Sequence, residues 1–140
     1  MSARKLFTLT TCTILLLMSA VAISAQEKPT SMEINAKGKG SIKVGREQFQ
    51  LHNVILKLKE GGKLEMILVS DITLFFEGSW SWADEAGKTV DLKIEGGATG
   101  AVEGGGKATL SDDRQSISRM MLQAANKFRK TSVTVQFTGD

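Results

Sequence analysis

The chain predicts an all-β domain, a seven- to eight-stranded antiparallel up-and-down barrel or small two-sheet sandwich. Three observations carry this reading. Over most of Met32 to Phe137, apolar residues alternate with Lys, Glu, Gln, Ser and Thr, the period-two pattern of strands with one buried and one solvated face. The alternating runs are separated by short stretches of turn chemistry such as Gly45-Arg46, Glu60-Gly61-Gly62 and Asp84-Glu85-Ala86-Gly87. Alternation this clean favours antiparallel pairing over a parallel sheet buried on both faces.

Residues 1–25 stand apart from the domain. Arg4 and Lys5 are followed by an uncharged stretch from Leu6 to Ala25, with an apolar core at Ile14 to Ile23 and a small-residue exit at Ser24-Ala25. This is the pattern of a secretory signal peptide, and cleavage is expected after Ala25. The apolar core falls short of the ~20 residues of a membrane helix, so an uncleaved N-terminal anchor is the weaker alternative. Cys12 precedes the apolar core, on the wrong side for lipid attachment. The expected location is secreted or periplasmic, with no integral membrane segment after signal removal.

Cleavage would remove Cys12, the only cysteine. The mature domain must then fold without a disulfide, which its length allows, since one hydrophobic core suffices at this size. Loss of Arg4 and Lys5 would leave 16 basic against 15 acidic residues, a net charge of +1. A balance so close to zero gives no general reason to expect nucleic acid or an anionic membrane as partner.

Gln26 to Ser31, with the only proline, reads as a linker, and residues 32–140 as a single β domain. In the first strand Met32, Ile34, Ala36, Gly38, Gly40, Ile42 and Val44 occupy one face. Gly38 and Gly40 leave that face without side chains, which predicts a bend or a bulky residue over the backbone. A two-residue turn at Gly45-Arg46 sets Val44 opposite Glu47 and Ile42 opposite Phe49, moving the inward set to odd numbers. Phe49 and Leu51 obey this, yet Val54, Leu56 and Leu58 are even, so a β-bulge is expected near His52-Asn53.

Glu60-Gly61-Gly62 as a three-residue turn keeps Leu58 and Leu64 on one face. From Leu64 to Trp82 a single phase holds for 19 residues, too long for one strand in a domain of this size. An odd-numbered loop preserves phase, either Val69-Ser70-Asp71, with Leu68 facing Ile72, or Glu77-Gly78-Ser79; the first is preferred. The next hairpin turns at Asp84 to Gly87 and returns through Val90, Leu92 and Ile94. Gly96-Gly97-Ala98 then forms a three-residue loop before a strand with Gly100, Val102, Gly104, Gly106, Ala108 and Leu110 inside. Its small residues suit positions opposite Trp80 and Trp82, a large-against-small fit.

Arg114 to Phe128 reads two ways. Ile117, Met120, Met121, Ala124, Ala125 and Phe128 have helical spacing, and Ser111, Asp112 or Asp113 would cap a short helix near 114–128. The preferred alternative is a strand at Gln115 to Leu122, forming a hairpin with a final strand at Ser132 to Phe137.

Candidate chemistry is sparse. His52 is the one histidine and tyrosine is absent, so Cys-His pairs are excluded in the mature chain and a Ser-His-Asp arrangement would need His52. Glu33, Glu65, Asp91, Glu95 and Glu103 fall on outer faces as solvated carboxylates rather than paired acids. Asp84-Glu85 and Asp112-Asp113 lack calcium-loop spacing, and the usual structural zinc sets are excluded, so no metal or other cofactor is expected. Gly104-Gly105-Gly106-Lys107 lacks the spacing of a phosphate loop. The basic residues Arg114, Arg119, Lys127, Arg129 and Lys130 have no interleaved aromatics of the kind that stack on single-stranded nucleic acid. Gly78-Ser79-Trp80 resembles the Gly-x-Trp of lipocalin-like and avidin-like barrels, but there the motif lies in the first strand and here near the middle, so no family or function is carried over.

The aromatic set Phe76, Trp80 and Trp82, with His52 beside the expected bulge, forms the candidate ligand-binding set. The expected function is noncatalytic, the binding of a small apolar ligand or a cell-envelope component. The alternative is a structural or adhesion-like surface protein acting through strand edges or its charged outer face. An outer-membrane barrel is disfavoured, because the outward face is rich in Lys and Glu where lipid contact needs apolar residues and aromatic girdles. Were the chain an enzyme, His52 would be the residue to test.

Overall fold

The computed structural model describes residues 27–97, 102–126, 128 and 131–140. The expected signal segment 1–25, Ala98, Gly100, and Lys127, Arg129 and Lys130 lie outside the described residues. The domain is a closed barrel of eight antiparallel strands in chain order: β1 (Met32–Val44), β2 (Glu47–Lys59), β3 (Lys63–Ser70), β4 (Thr73–Trp82), β5 (Thr89–Gly97), β6 (Val102–Leu110), β7 (Ile117–Asn126) and β8 (Ser132–Gly139). β8 pairs back onto β1, Gly38 facing Gly139 and Val44 facing Val133. The barrel alternative therefore holds over the sandwich, with eight strands.

The interior is filled by the inward rows that parity predicts. Ile34, Ala36 and Ile42 of β1, Leu51, Val54, Leu56 and Leu58 of β2, and Leu64, Met66 and Leu68 of β3 are all buried. No polar or charged residue is buried among the described residues. Phe76 and Phe137 are the largest fully buried side chains, each contributing about 1.5–3 kcal/mol by leaving water. The glycines of β1 are explained by the close approach of the β8 backbone, since a Cβ at Gly38 would fall on the Thr138 carbonyl oxygen and one at Gly40 on the Gln136 carbonyl oxygen, with the Phe137 ring carbon Cζ also 2.8 Å from the Gly38 position.

The first two hairpins match the expected registers: Ile42 faces Phe49, Val44 faces Glu47, and Leu58 faces Leu64. The bulge also lies where parity requires it. Val54 to Leu51 on β2 faces Leu68 to Ser70 on β3 and Ala36 to Gly40 on β1, so each successive strand uses one more residue over the same stretch. The wall fans out there, as bulged strands do.

Three expectations are corrected. The β3–β4 turn occupies Ser70 to Ile72, so that Leu68 faces Leu74 and Val69 faces Thr73; it is not the turn at Val69 to Asp71 with Leu68 facing Ile72. Ser70 is held on β3 because it pairs with Leu51 and donates its hydroxyl to the Gln50 carbonyl, which pushes the turn one residue on. Gly96 and Gly97 belong to β5 rather than to a loop, since an extra residue at Glu95 slips the register and sets Gly97 opposite Phe76. A Gly97 Cβ would lie 2.8 Å from the Phe75 carbonyl oxygen and 3.0 Å from the Phe76 ring, so this position favours glycine.

The third correction removes the helical alternative for 114–128. β7 is a strand, and it runs to Asn126, beyond the expected Leu122. Its inward residues are Ile117, Met120, Leu122 and Ala124, and the step of three between the first two arises where the β6–β7 register shifts between Thr109 and Leu110. A bulge thus copied one turn of helical spacing. Ser111 to Asp113 do not cap a helix: Ser111 N–H donates to the Ser116 carbonyl, 2.9 Å, and Asp113 accepts from the Ser111 hydroxyl, 2.7 Å, within a turn where Arg114 has φ +58°.

The small inward residues of β6 share rungs with the tryptophans without facing them directly. Trp80 faces Leu92, which faces Gly106, and Trp82 faces Val90, which faces Ala108.

Candidate functional site

Strand direction gives the barrel two unlike ends. The lower end carries the starts of β1, β3, β5 and β7, and the upper end carries the Gly45-Arg46 turn, the β3–β4 turn and the connections leading into β6 and β8. Phe76 and Trp82 are six residues apart on β4, about 20 Å of extended strand. Shared parity places them on one face but at opposite ends.

Trp80 and Trp82 close the lower end. Their rings meet edge to face, with centroids 5.6 Å apart and planes at 84°, a favoured aromatic geometry. Trp80 Nε1 donates to the Lys59 carbonyl at 2.9 Å, and Trp82 Nε1 donates to the Pro29 carbonyl at 3.0 Å. The Arg114 guanidinium lies 5.7 Å from the Trp82 ring centroid, within cation–π range. It also donates from Nε to the Gly87 carbonyl, 2.9 Å, and from Nη2 to the Ala86 carbonyl, 3.3 Å. Lys28 and Pro29 of the expected linker thus lie across this end, where Lys88 also pairs with Asp112 at 2.9 Å. The two tryptophans have their polar edges satisfied by protein, and they act as a plug.

Phe76 belongs to the upper end. There an apolar cavity of about 150 Å³ is lined by Val44, Leu74, Phe76, Val102, Asn126, Thr131 and Val133. These residues come from the upper ends of β1, β4, β6, β7 and β8, and Phe76 and Val102 are the most buried of them. Thr131 is held in place because Asn126 N–H donates to its carbonyl, 2.9 Å, while Gly45 N–H donates to the Ser132 carbonyl, 3.0 Å. The Asn126 carboxamide accepts from the Phe128 N–H at 2.9 Å. On this connection Phe128, two residues beyond the lining Asn126, is 84% exposed.

The lining holds no charged residue, and an apolar void of about 150 Å³ is large enough for a benzene-sized molecule while falling below the ~300 Å³ at which drug-sized pockets begin. What this end can do chemically is shelter a ring or a short branched chain.

His52 lies elsewhere. It is exposed on the outer wall at the β2 bulge, in a shallow groove with Lys39, Gly40, Gln50 and Leu51. None of these supplies the hydroxyl or carboxylate of a nucleophile–base pair. Among the described residues, no three His, Cys, Asp or Glu side chains gather as a metal site. The four-residue candidate set is thus distributed over the cavity floor, the lower plug and the outer wall.

Val44, Leu74, Val102, Asn126, Thr131 and Val133 were not singled out by sequence. Their signal is modest, since they are medium-sized residues at or beside strand ends. Only the closure of the barrel shows that these ends converge.

Comparisons with protein-family models, with curated proteins and with solved structures return no match for this chain.

Proposed function

We propose that this chain is a noncatalytic secreted or periplasmic barrel that binds a small apolar ligand at its upper end. The observation that carries the reading is the apolar cavity of about 150 Å³ above Phe76. A well-packed interior leaves few voids larger than a water molecule, so an opening lined by Val44, Leu74, Val102 and Val133 is a place where an apolar group is sheltered at little cost. The ligand class that fits is an aromatic ring or short branched hydrocarbon, or the end of a larger envelope amphiphile. A nucleic acid partner has no support in the charge distribution.

The test is to secrete the protein, purify it, and analyse its solvent extract by mass spectrometry for a stoichiometric apolar compound. In parallel, toluene is titrated against the thermal midpoint of the stripped protein. The expected result is a rise in midpoint that Val102→Phe, which fills the cavity, removes; saturation at 100 times Kd would contribute about 2.7 kcal/mol. An empty extract together with a midpoint indifferent to toluene would defeat the proposal. Tryptophan emission is a poor reporter for this site, because both tryptophans sit at the other end.

The alternative, a structural or adhesion-like surface protein, has less means than the sequence allowed. Every strand of the closed barrel has a neighbour on each side, so β-augmentation is confined to short stretches such as residues 32–37 of β1, which extend past the β8 ladder that begins at Gly38. Beyond these, what remains to such a protein is the outer wall.

A further inference from the structure

Most outward positions on this barrel are polar. β1 presents Glu33, Asn35, Lys37 and Lys39, and β8 presents Ser132, Thr134, Gln136 and Thr138. The outer wall of β2 to β4 differs. Ile55, Ile67 and Phe75 face one another across the three strands, with Val69 one rung away opposite Asn53 and Thr73. Each of the three row residues alternates with inward neighbours and is only partly covered. Apart from Met121 on β7, 43% exposed, no comparable apolar side chain points outward from the described strands.

The rung on the other side of this row is charged and asymmetric. Lys57 of β2 faces Glu65 of β3, which faces Glu77 of β4. Basic charge therefore stands at one side of the row and acidic charge at the other. Glu65 is engaged by Lys59 at 2.8 Å, and this contact holds its carboxyl below the usual glutamate range.

We infer that this wall pairs with the same wall of a second copy, about a twofold axis running along β3. That axis exchanges β2 and β4 between copies. Ile67 meets the second copy's Ile67, Ile55 meets Phe75, and Lys57 meets Glu77 in both directions. A twofold contact must be self-complementary, and this arrangement of apolar row and opposite charges is. Two like-charge contacts fall on the axis: the two Glu65 carboxylates, each already paired with Lys59 of its own copy, and the two Lys63 side chains, which are exposed at the lower end of β3 beyond the charged rung. Two sheets packed in this way lie about 10 Å apart with aligned strands. The apolar row is smaller than the ~800 Å² per partner of standard interfaces, so dissociation is expected on the order of 100 µM. The inference is independent of the ligand proposed for the upper cavity.

The experiment is sedimentation equilibrium of the secreted protein from about 10 µM to about 1 mM, a range that brackets an interface of this size. The expected result is a mass that rises from monomer towards dimer. Ile67→Asp is expected to hold it at monomer, with circular dichroism confirming the native barrel. Lys57→Glu and Glu77→Lys should each weaken the dimer by about tenfold, the equivalent of about 1.4 kcal/mol. The double variant Lys57→Glu/Glu77→Lys should restore it. A protein that stays monomeric throughout, a dimer indifferent to Ile67→Asp, or a double charge swap that fails to restore association would each overturn the inference.

Discussion

Asp84 shows how a single carboxylate shapes the lower end. Its Oδ1 accepts the backbone N–H groups of Thr89 and Lys88, each at 3.0 Å. The Thr89 bond is foremost in holding this carboxyl below the usual aspartate range. Asp113 is lowered in the same sense, chiefly by the Ser111 hydroxyl. A carboxyl whose folded pKa is depressed contributes stability that is fully present above its unfolded pKa and is lost as pH falls through the folded value. Asp84→Asn, a mimic of the protonated acid, is therefore expected to lower the thermal midpoint at neutral pH. The difference from the native protein should close as the solution is acidified below about pH 4. Thermal melts of both proteins across that range check this, and a gap that stays constant with pH would refute it. None of this was legible in the sequence beyond the presence of turn chemistry, because Asp84 and Asp113 take their roles from backbone N–H groups that only the folded turn brings within reach.

At the scale of strands, parity was the readable quantity and bulges were its limit. The slip at His52-Asn53 was legible because long apolar runs on both sides, Phe49-Leu51 and Val54-Leu58, fixed the phase independently. The slips at Glu95 and near Ser118 were not, since glycines follow one and only Ile117 precedes the other. Glycine carries no inside or outside preference in its side chain, so Gly96 and Gly97 read equally well as a loop. The structure gives the β6 glycines a definite steric role. A Cβ at Gly106 would fall on the Met121 carbonyl oxygen of β7, where the two strands approach too closely for a side chain. Gly106→Ala is expected to destabilise the domain by about 1–3 kcal/mol, the usual range for overpacking. Ser81→Ala, exposed on β4, should stay within about 0.5 kcal/mol. Urea unfolding of the two variants measures both, and equal midpoints would contradict the steric account.

For the molecule as a whole, the order of the strands could be read along the chain, whereas their closure could not. Alternation says which residues face inward but not whether β8 returns to β1 or ends a sandwich, because Gly38, Gly40 and Gly139 at that seam carry no apolar pattern. The same limit explains the candidate site. Phe76, Trp80 and Trp82 share a face, and only the height along the barrel separates a cavity floor from a plug. The closed form sets apolar residues inside and mostly polar ones outside, the reverse of the distribution a transmembrane β-barrel needs. No helix among the described residues is long and apolar enough to cross a membrane.

The seam between β1 and β8 has a mechanical consequence. Met32 and Gly139 both lie at the lower end, on strands that are antiparallel neighbours from Gly38–Gly139 to Val44–Val133. Tension applied between residues 32 and 139 peels that ladder open one rung at a time, starting at Gly38 and Gly139. Tension between Arg46 and residue 139 instead slides β2 and β8 past β1, loading many hydrogen bonds at once. Single-molecule pulling should therefore find the barrel soft along the first direction and stiff along the second. Equal rupture forces would mean that the seam is not where the barrel first yields.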